Sequence, residues 1–145
     1  MSAADRAAAA LMASLLEQGW VIHLLAMALC AGATVGLLLA SNWSIALVST
    51  AVLLAGTGET WVALRVGFDA RCFRNIAEGG DGFDLNGFDL ALGRLGLLPP
   101  AKRKAGRPMD PRLAGAKRLL ILQGTCLVAQ VVLMLVTLLV ITRSV

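Results

Sequence analysis

An all-α membrane protein with three transmembrane helices is the architecture expected of these 145 residues. Hydrophobic residues make up 58% of the chain and charged residues 15%, whereas soluble domains run nearer about half apolar and a quarter charged. The apolar residues form long blocks, which calls for lipid rather than a water-excluded core. Basic residues crowd into one connection between two of those blocks. The length suits a single integral membrane domain over 1–145.

From Gln18 to Gly58 there is no charged residue apart from His23. That stretch is too long for one crossing, because a hydrocarbon core of about 30 Å needs about 20 helical residues. The break falls at Ser41-Asn42-Trp43-Ser44, where Ser and Asn favour a turn and Trp suits the interface. The spans are therefore about 20–40 and 45–64, packed as an antiparallel hairpin. A third runs over 119–142 and is closed by Arg143. Its helix starts before its span: Asp110 offers an N-cap and Pro111 a first helical residue. The second helix also overruns its span and stops at Gly79-Gly80, with Arg65 and Asp69, and Arg74 and Glu78, as opposite charges four apart.

Eleven of the 13 Lys and Arg residues lie between Arg65 and Arg118. By the positive-inside rule this connection is cytoplasmic, so the N-terminus is cytoplasmic and the C-terminus external. The absence of Tyr and the wealth of Ala, Gly, Leu and Arg fit a GC-rich bacterial genome, and hence a bacterial inner membrane. Ahead of the first span, Asp5 to Glu17 is helix-prone, and Leu11, Met12, Leu15 and Leu16 form its apolar face. Such an amphipathic helix can lie on the membrane surface. It does not read as a cleaved signal peptide, since the apolar run after it is too long and the lead-in is not basic.

The cytoplasmic loop, 79–110, repeats Gly-Phe-Asp-Leu twice. An EF-hand is excluded because Gly82 and Gly93 would occupy ligand positions. A short amphipathic helix over about 87–98 fits better, with Asn86 as cap, Asp89 in the reciprocal position and Pro99-Pro100 as the stop. Phe88, Leu92 and Leu95 then share a face that must be covered by the inner leaflet or by a partner protein. A basic linker follows, with Lys102, Arg103, Lys104 and Arg107. Such clusters bind anionic phospholipids or merely set topology. No aromatic residues interleave to stack bases, so nucleic acid is not an expected partner.

Within the membrane, Ala28, Gly32, Gly36 and Ala40 stand four apart on the first span, a small-residue face suited to helix packing. On the third span Gln123, Gln130 and Thr137 are seven apart and should face protein, since an amide facing lipid is costly. At 1.5 Å per residue, Glu59 lies roughly 8 Å, His23 roughly 5 Å and Gln123 roughly 6 Å inside the boundaries of their spans. His23, Glu59, Gln123 and Gln130 are thus candidates for an intramembrane polar cluster. Glu59 can otherwise snorkel to the headgroups, pair with a partner's cation, or carry an ion or proton.

No catalytic constellation, cofactor motif or metal-ligand spacing is present in the sequence, and three scattered cysteines support neither a disulfide framework nor a zinc site. The expected role is a small accessory or scaffold subunit that packs against a larger membrane complex or self-associates. The alternative is a small oligomeric transport protein or channel with a polar intramembrane path.

The topology is testable by labelling. A cysteine introduced at Lys104 should be shielded from impermeant thiol reagents in intact cells, and one at Ser144 should react. Labelling at both sites would mean that the N-terminal segment also crosses the membrane.

Overall fold

The computed structural model describes residues 2–80, 83–96 and 108–144. Its elements are five helices: α1 (Ala3–Glu17), α2 (Gly19–Leu38), α3 (Trp43–Glu78), α4 (Leu85–Arg94) and α5 (Met109–Ser144). No strand occurs among the described residues. Three rods build the molecule: α1 with α2, α3, and α5. Each is long and apolar enough to cross a membrane, and the chain is an all-α membrane protein with three transmembrane helices.

The rods outrun the bilayer. At 36 residues, α3 and α5 each extend about 54 Å at 1.5 Å per residue, against about 30 Å of hydrocarbon. The excess of α3 lies at its C-terminal end, where it forms a water-side bundle with α1 and the start of α5. Ala9, Ala13 and Leu16 of α1 meet Val62, Val66, Ala70, Phe73 and Ile76 of α3, and Met109 and Ala116 of α5.

The seam follows a seven-residue period. On α5 the buried residues are Met109, Ala116, Gln123, Gln130 and Thr137, each seven after the last. On α3 they recur at intervals of three and four from Ile45 to Ile76. This is the spacing of a coiled-coil seam, and on a helix of 3.6 residues per turn it winds neighbours left-handedly.

Local chemistry sets the ends. Ser2 and Asp5 form a reciprocal capping box on α1, with Asp5 N–H donating to Ser2 Oγ and Ser2 N–H to Asp5 Oδ2, both at 3.0 Å. Asn42 caps α3 by accepting from Ile45 N–H at 3.0 Å. Glu78 ends α3, and Gly80 takes a positive φ of 66° that other residues rarely adopt.

Four expectations change. First, α1 does not lie on a membrane surface. Only Gln18 separates it from α2, and that residue keeps a right-handed helical conformation, so α1 continues the first rod along α3. Its packing stripe is Ala9, Ala13 and Leu16, while Leu11 is 73% exposed and Leu15 46% exposed. Small side chains let the helices approach closely, and this outweighs the bulk of the leucines. Second, Arg74 pairs with Glu17 of α1 rather than with Glu78 one turn on.

Third, Asp84 rather than Asn86 caps α4, accepting from Asn86 N–H at 2.9 Å. The helix accordingly begins at Leu85 and ends at Arg94, ahead of Gly96 with φ 71°. Asp89, freed from a capping role, is buried and pairs with Arg112 of α5 at 2.6 Å. That pair pins α4 to the water-side base of the bundle. Phe88 packs there against the protein's own core, together with Phe83 and Leu85. Leu92 is half-buried and Leu95 exposed. Fourth, α5 starts at Met109, so Asp110 stands in its first turn rather than at its cap. Pro99-Pro100 and the linker residues Lys102, Arg103, Lys104 and Arg107 lie outside the described residues.

Because Phe73 is buried between α1 and its neighbours, Phe73→Ala should cost about 3–5 kcal/mol. Leu11→Ala, on the exposed side of α1, should cost under about 0.5 kcal/mol. Amide hydrogen exchange over Ala9–Leu16 in detergent micelles would report both, with rapid exchange in the first variant alone.

Candidate functional site

Three side chains from three rods meet where the bundle passes from lipid to water. Glu59 of α3 is fully buried. Its Oε2 lies 2.9 Å from His23 Nδ1 of α2, and its Oε1 accepts from Gln123 Nε2 of α5 at 2.8 Å. Gln123 Nε2 also donates to the carbonyl oxygen of Gly19 at 2.9 Å. Both amide hydrogens are thereby used, one on the carboxylate and one on the backbone of the first rod.

The depth of this knot follows from the tryptophans. Trp20, Trp43 and Trp61 are all exposed, as residues of an interfacial belt should be. Trp43 and Trp61 are separated by about 27 Å along α3 at 1.5 Å per residue, close to the hydrocarbon thickness of about 30 Å. By the same rise Glu59 lies only about 3 Å inside the level of Trp61. Trp20 marks the same end of the slab on α2, its ring centroid 6.1 Å from that of His23.

Gly19 makes the knot possible. A Cβ there would come within 2.8 Å of Gln123 Oε1 and 2.9 Å of Val66 Cγ1. Any other residue would force the Gln123 and Val66 side chains to shift and disturb the bonds that Gln123 makes.

One heptad further into the lipid half, Gln130 is also fully buried. Its Nε2 lies 3.3 Å from Cys30 Sγ and 3.4 Å from the carbonyl oxygen of Val52, so it joins the same three rods through weaker bonds. Gly56 is the socket at this level, since a Cβ there would collide with Cys30 Sγ and stand 2.8 Å from Gln130 Nε2. Beyond it Ser49 and Thr137 are buried in the seam. The structure thus brings His23, Glu59 and Gln123 into direct contact and places Gln130 in a separate layer.

Thr57 and Thr60, near Glu59 in sequence, take no part. Each donates to the backbone carbonyl four residues earlier, the usual way for a hydroxyl on a lipid-exposed helix to satisfy itself. The small-residue row on α2 is only partly used. Gly36 and Ala40 are half-buried, with Ser49 Oγ 3.1 Å from where a Gly36 Cβ would be; Ala28 and Gly32 are exposed, and a Cβ on Gly32 would stand 3.1 Å from Met134 Cε at the end of a flexible side chain. The residues that seat α2 in the bundle are Gly19, Ala26 and Ala33, seven apart. Sequence reasoning missed that set because two such rows on one span are indistinguishable without knowing which side faces α3.

Chemically, the knot joins an imidazole to one carboxylate oxygen, with an amide fixing the second. His23 is 22% exposed and opens onto a groove, while Glu59 behind it is sealed. Among the described residues no group of three or more His, Cys, Asp or Glu side chains is placed to hold a metal ion. Comparison with protein-family models, with curated proteins and with solved structures finds no match.

A neutral residue that keeps the hydrogen bonds should suffice at position 59. Glu59→Gln should leave the melting temperature in detergent nearly unchanged, because the new amide accepts from Gln123 and donates to His23. Glu59→Leu strands a buried Gln123 hydrogen and should cost about 1–3 kcal/mol. Equal melting of the parent and both variants would show that the knot contributes nothing to the fold.

Proposed function

We propose that the protein is a small, non-enzymatic accessory or scaffold subunit of a bacterial inner membrane, which packs against a larger membrane complex. The N-terminus and the loop between α3 and α5 are cytoplasmic in this reading, and the C-terminus is external, the orientation that the distribution of Lys and Arg favours. The observation that carries it is the way the lipid half of the bundle spends its polar groups. Glu59, Gln123 and Gln130 are each fully buried and turned inward, while the exterior keeps Ala28 and Gly32 exposed on α2. Membrane helices associate through small residues that let backbones approach, so this exposed part of the row suits contact with a partner helix.

A small oligomeric transport protein is favoured less. Its path would be lined by Glu59 and the glutamines, yet these face the seam within one chain rather than the surface through which copies would meet. Native mass spectrometry on protein extracted gently from its own membrane separates the two readings. A heteromeric assembly of fixed stoichiometry is expected, lost in Gly32→Leu while the helical content of the subunit is retained. A closed homo-oligomer unaffected by Gly32→Leu would overturn the scaffold reading in favour of transport.

A further inference from the structure

On the outer side of the knot, between the first rod and α3, runs a groove of about 570 Å³. It spans the boundary between lipid and water and changes character along its length. Its lipid-side walls include Trp20, Leu64 and the edge of His23, and its water-side walls include Glu17, Arg71 and Arg74. Trp20 and Leu64 are 63% and 68% exposed. Arg74 pairs with Glu17, whereas Arg71 is exposed and makes no hydrogen bond or ion pair among the described residues. The mouth therefore carries two guanidinium groups against one carboxylate; Arg71 and Arg74 start about 15 and 20 Å beyond Trp61 along α3, and their side chains lean back toward the lipid, as helical side chains tilt toward the N-terminus.

We infer that this groove binds one anionic phospholipid of the leaflet on the α1 side. The phosphate sits at Arg71 and Arg74, and an acyl chain lies along Trp20 and Leu64. Charge decides the headgroup. A zwitterionic lipid brings its own cation to a mouth that already has a surplus of one, whereas an anionic headgroup neutralises that surplus. Guanidinium groups suit a phosphate because their planar donors meet two of its oxygens at once. The apolar upper wall, at the level of the interfacial tryptophans where the acyl chains begin, favours a lipid over a free anion, for which Trp20 and Leu64 offer nothing. This site does not depend on the identity of any protein partner.

Trp20 lines the groove and serves as its reporter, while Trp61 is exposed at the same depth outside it. Two proteins, Trp43→Phe/Trp61→Phe and Trp20→Phe/Trp43→Phe, each retain one of them. Both are reconstituted in dioleoylphosphatidylcholine vesicles containing rising fractions of brominated phosphatidylglycerol or brominated phosphatidylcholine, and quenching is compared. The preference for phosphatidylglycerol at Trp20 should exceed that at Trp61 by roughly fivefold, the fold-change equivalent to about 1 kcal/mol for one uncompensated basic residue at a membrane surface. Arg71→Gln/Arg74→Gln should bring Trp20 down to the value at Trp61. Glu17→Gln, which releases Arg74, should raise it. Inorganic phosphate at millimolar concentration should leave quenching unchanged.

Equal preference at the two tryptophans would overturn the proposal, as would persistence of the Trp20 preference in the double arginine variant. Displacement by inorganic phosphate would overturn the lipid as occupant. If circular dichroism shows the double variant misfolded, Arg71→Gln alone decides, since Arg71 makes no hydrogen bond or ion pair among the described residues. A Trp20 preference unchanged in that variant counts against the site.

Discussion

The carboxylate of Glu59, held between His23 and Gln123, is the contact on which the arrangement of the three rods depends. Within lipid, apolar side chains gain nothing by leaving hydrocarbon for one another, so helices associate through close packing and interhelical hydrogen bonds. A buried Glu satisfied by two other helices fixes all three rods at one level, because each bond has length and direction. Moving any rod by one residue, about 1.5 Å along its axis, would break the contacts to His23 at 2.9 Å or Gln123 at 2.8 Å. The Gln130 layer repeats this logic one heptad deeper with longer bonds.

The same rods are held together differently on either side of the knot. Toward water the seam is built from Ala9, Ala13, Leu16, Val66, Ala70, Phe73, Ile76, Met109 and Ala116, and burying such surface from water is what drives association there. Toward lipid the seam sets Glu59, Gln123, Gln130, Ser49 and Thr137 among Ala26, Ala33, Ile45 and Val52, while most leucines face outward. One heptad repeat on α5 carries Met109 and Ala116 in the first environment and Gln123, Gln130 and Thr137 in the second. The period is constant and the chemistry of the seam reverses, as the change of solvent demands.

Gly19 and Gly56 are the steric counterpart of these polar layers. A glutamine amide or a cysteine thiol in a three-helix seam needs more room than the alanines at neighbouring positions. The facing helix supplies that room by omitting a side chain, so that Gln123 rests over Gly19, and Cys30 with Gln130 over Gly56. Their role differs from that of Gly32, which is exposed. On sequence alone Gly32 was the more prominent, because it belongs to a Gly-x-x-x-Gly row. Gly19 and Gly56 belong to no motif; each is needed only because of what another helix brings opposite it.

The sequence by itself determined the features that arise within a few turns of one helix. Length and hydropathy set three spans, the turn at Ser41-Asn42-Trp43-Ser44 separated the first two, Gly79-Gly80 closed α3, and the spacing of Gln123, Gln130 and Thr137 marked the inward face of α5. Caps act over three or four residues and periodicity is a property of a single rod, so neither needs knowledge of a neighbour. Only the tertiary structure decided which residues meet across rods: Arg74 with Glu17 rather than Glu78, Asp89 with Arg112 rather than with its own helix start, and α1 with α3 rather than with a membrane surface. Glu59 stands between the two cases. That it shares a level with His23 and Gln123 followed from counting residues, although the exposed Trp61 moves the boundary to about 3 Å from Glu59 instead of roughly 8 Å. Their convergence on one point required the rotation and axial register of three helices, which are set jointly by packing along their whole length.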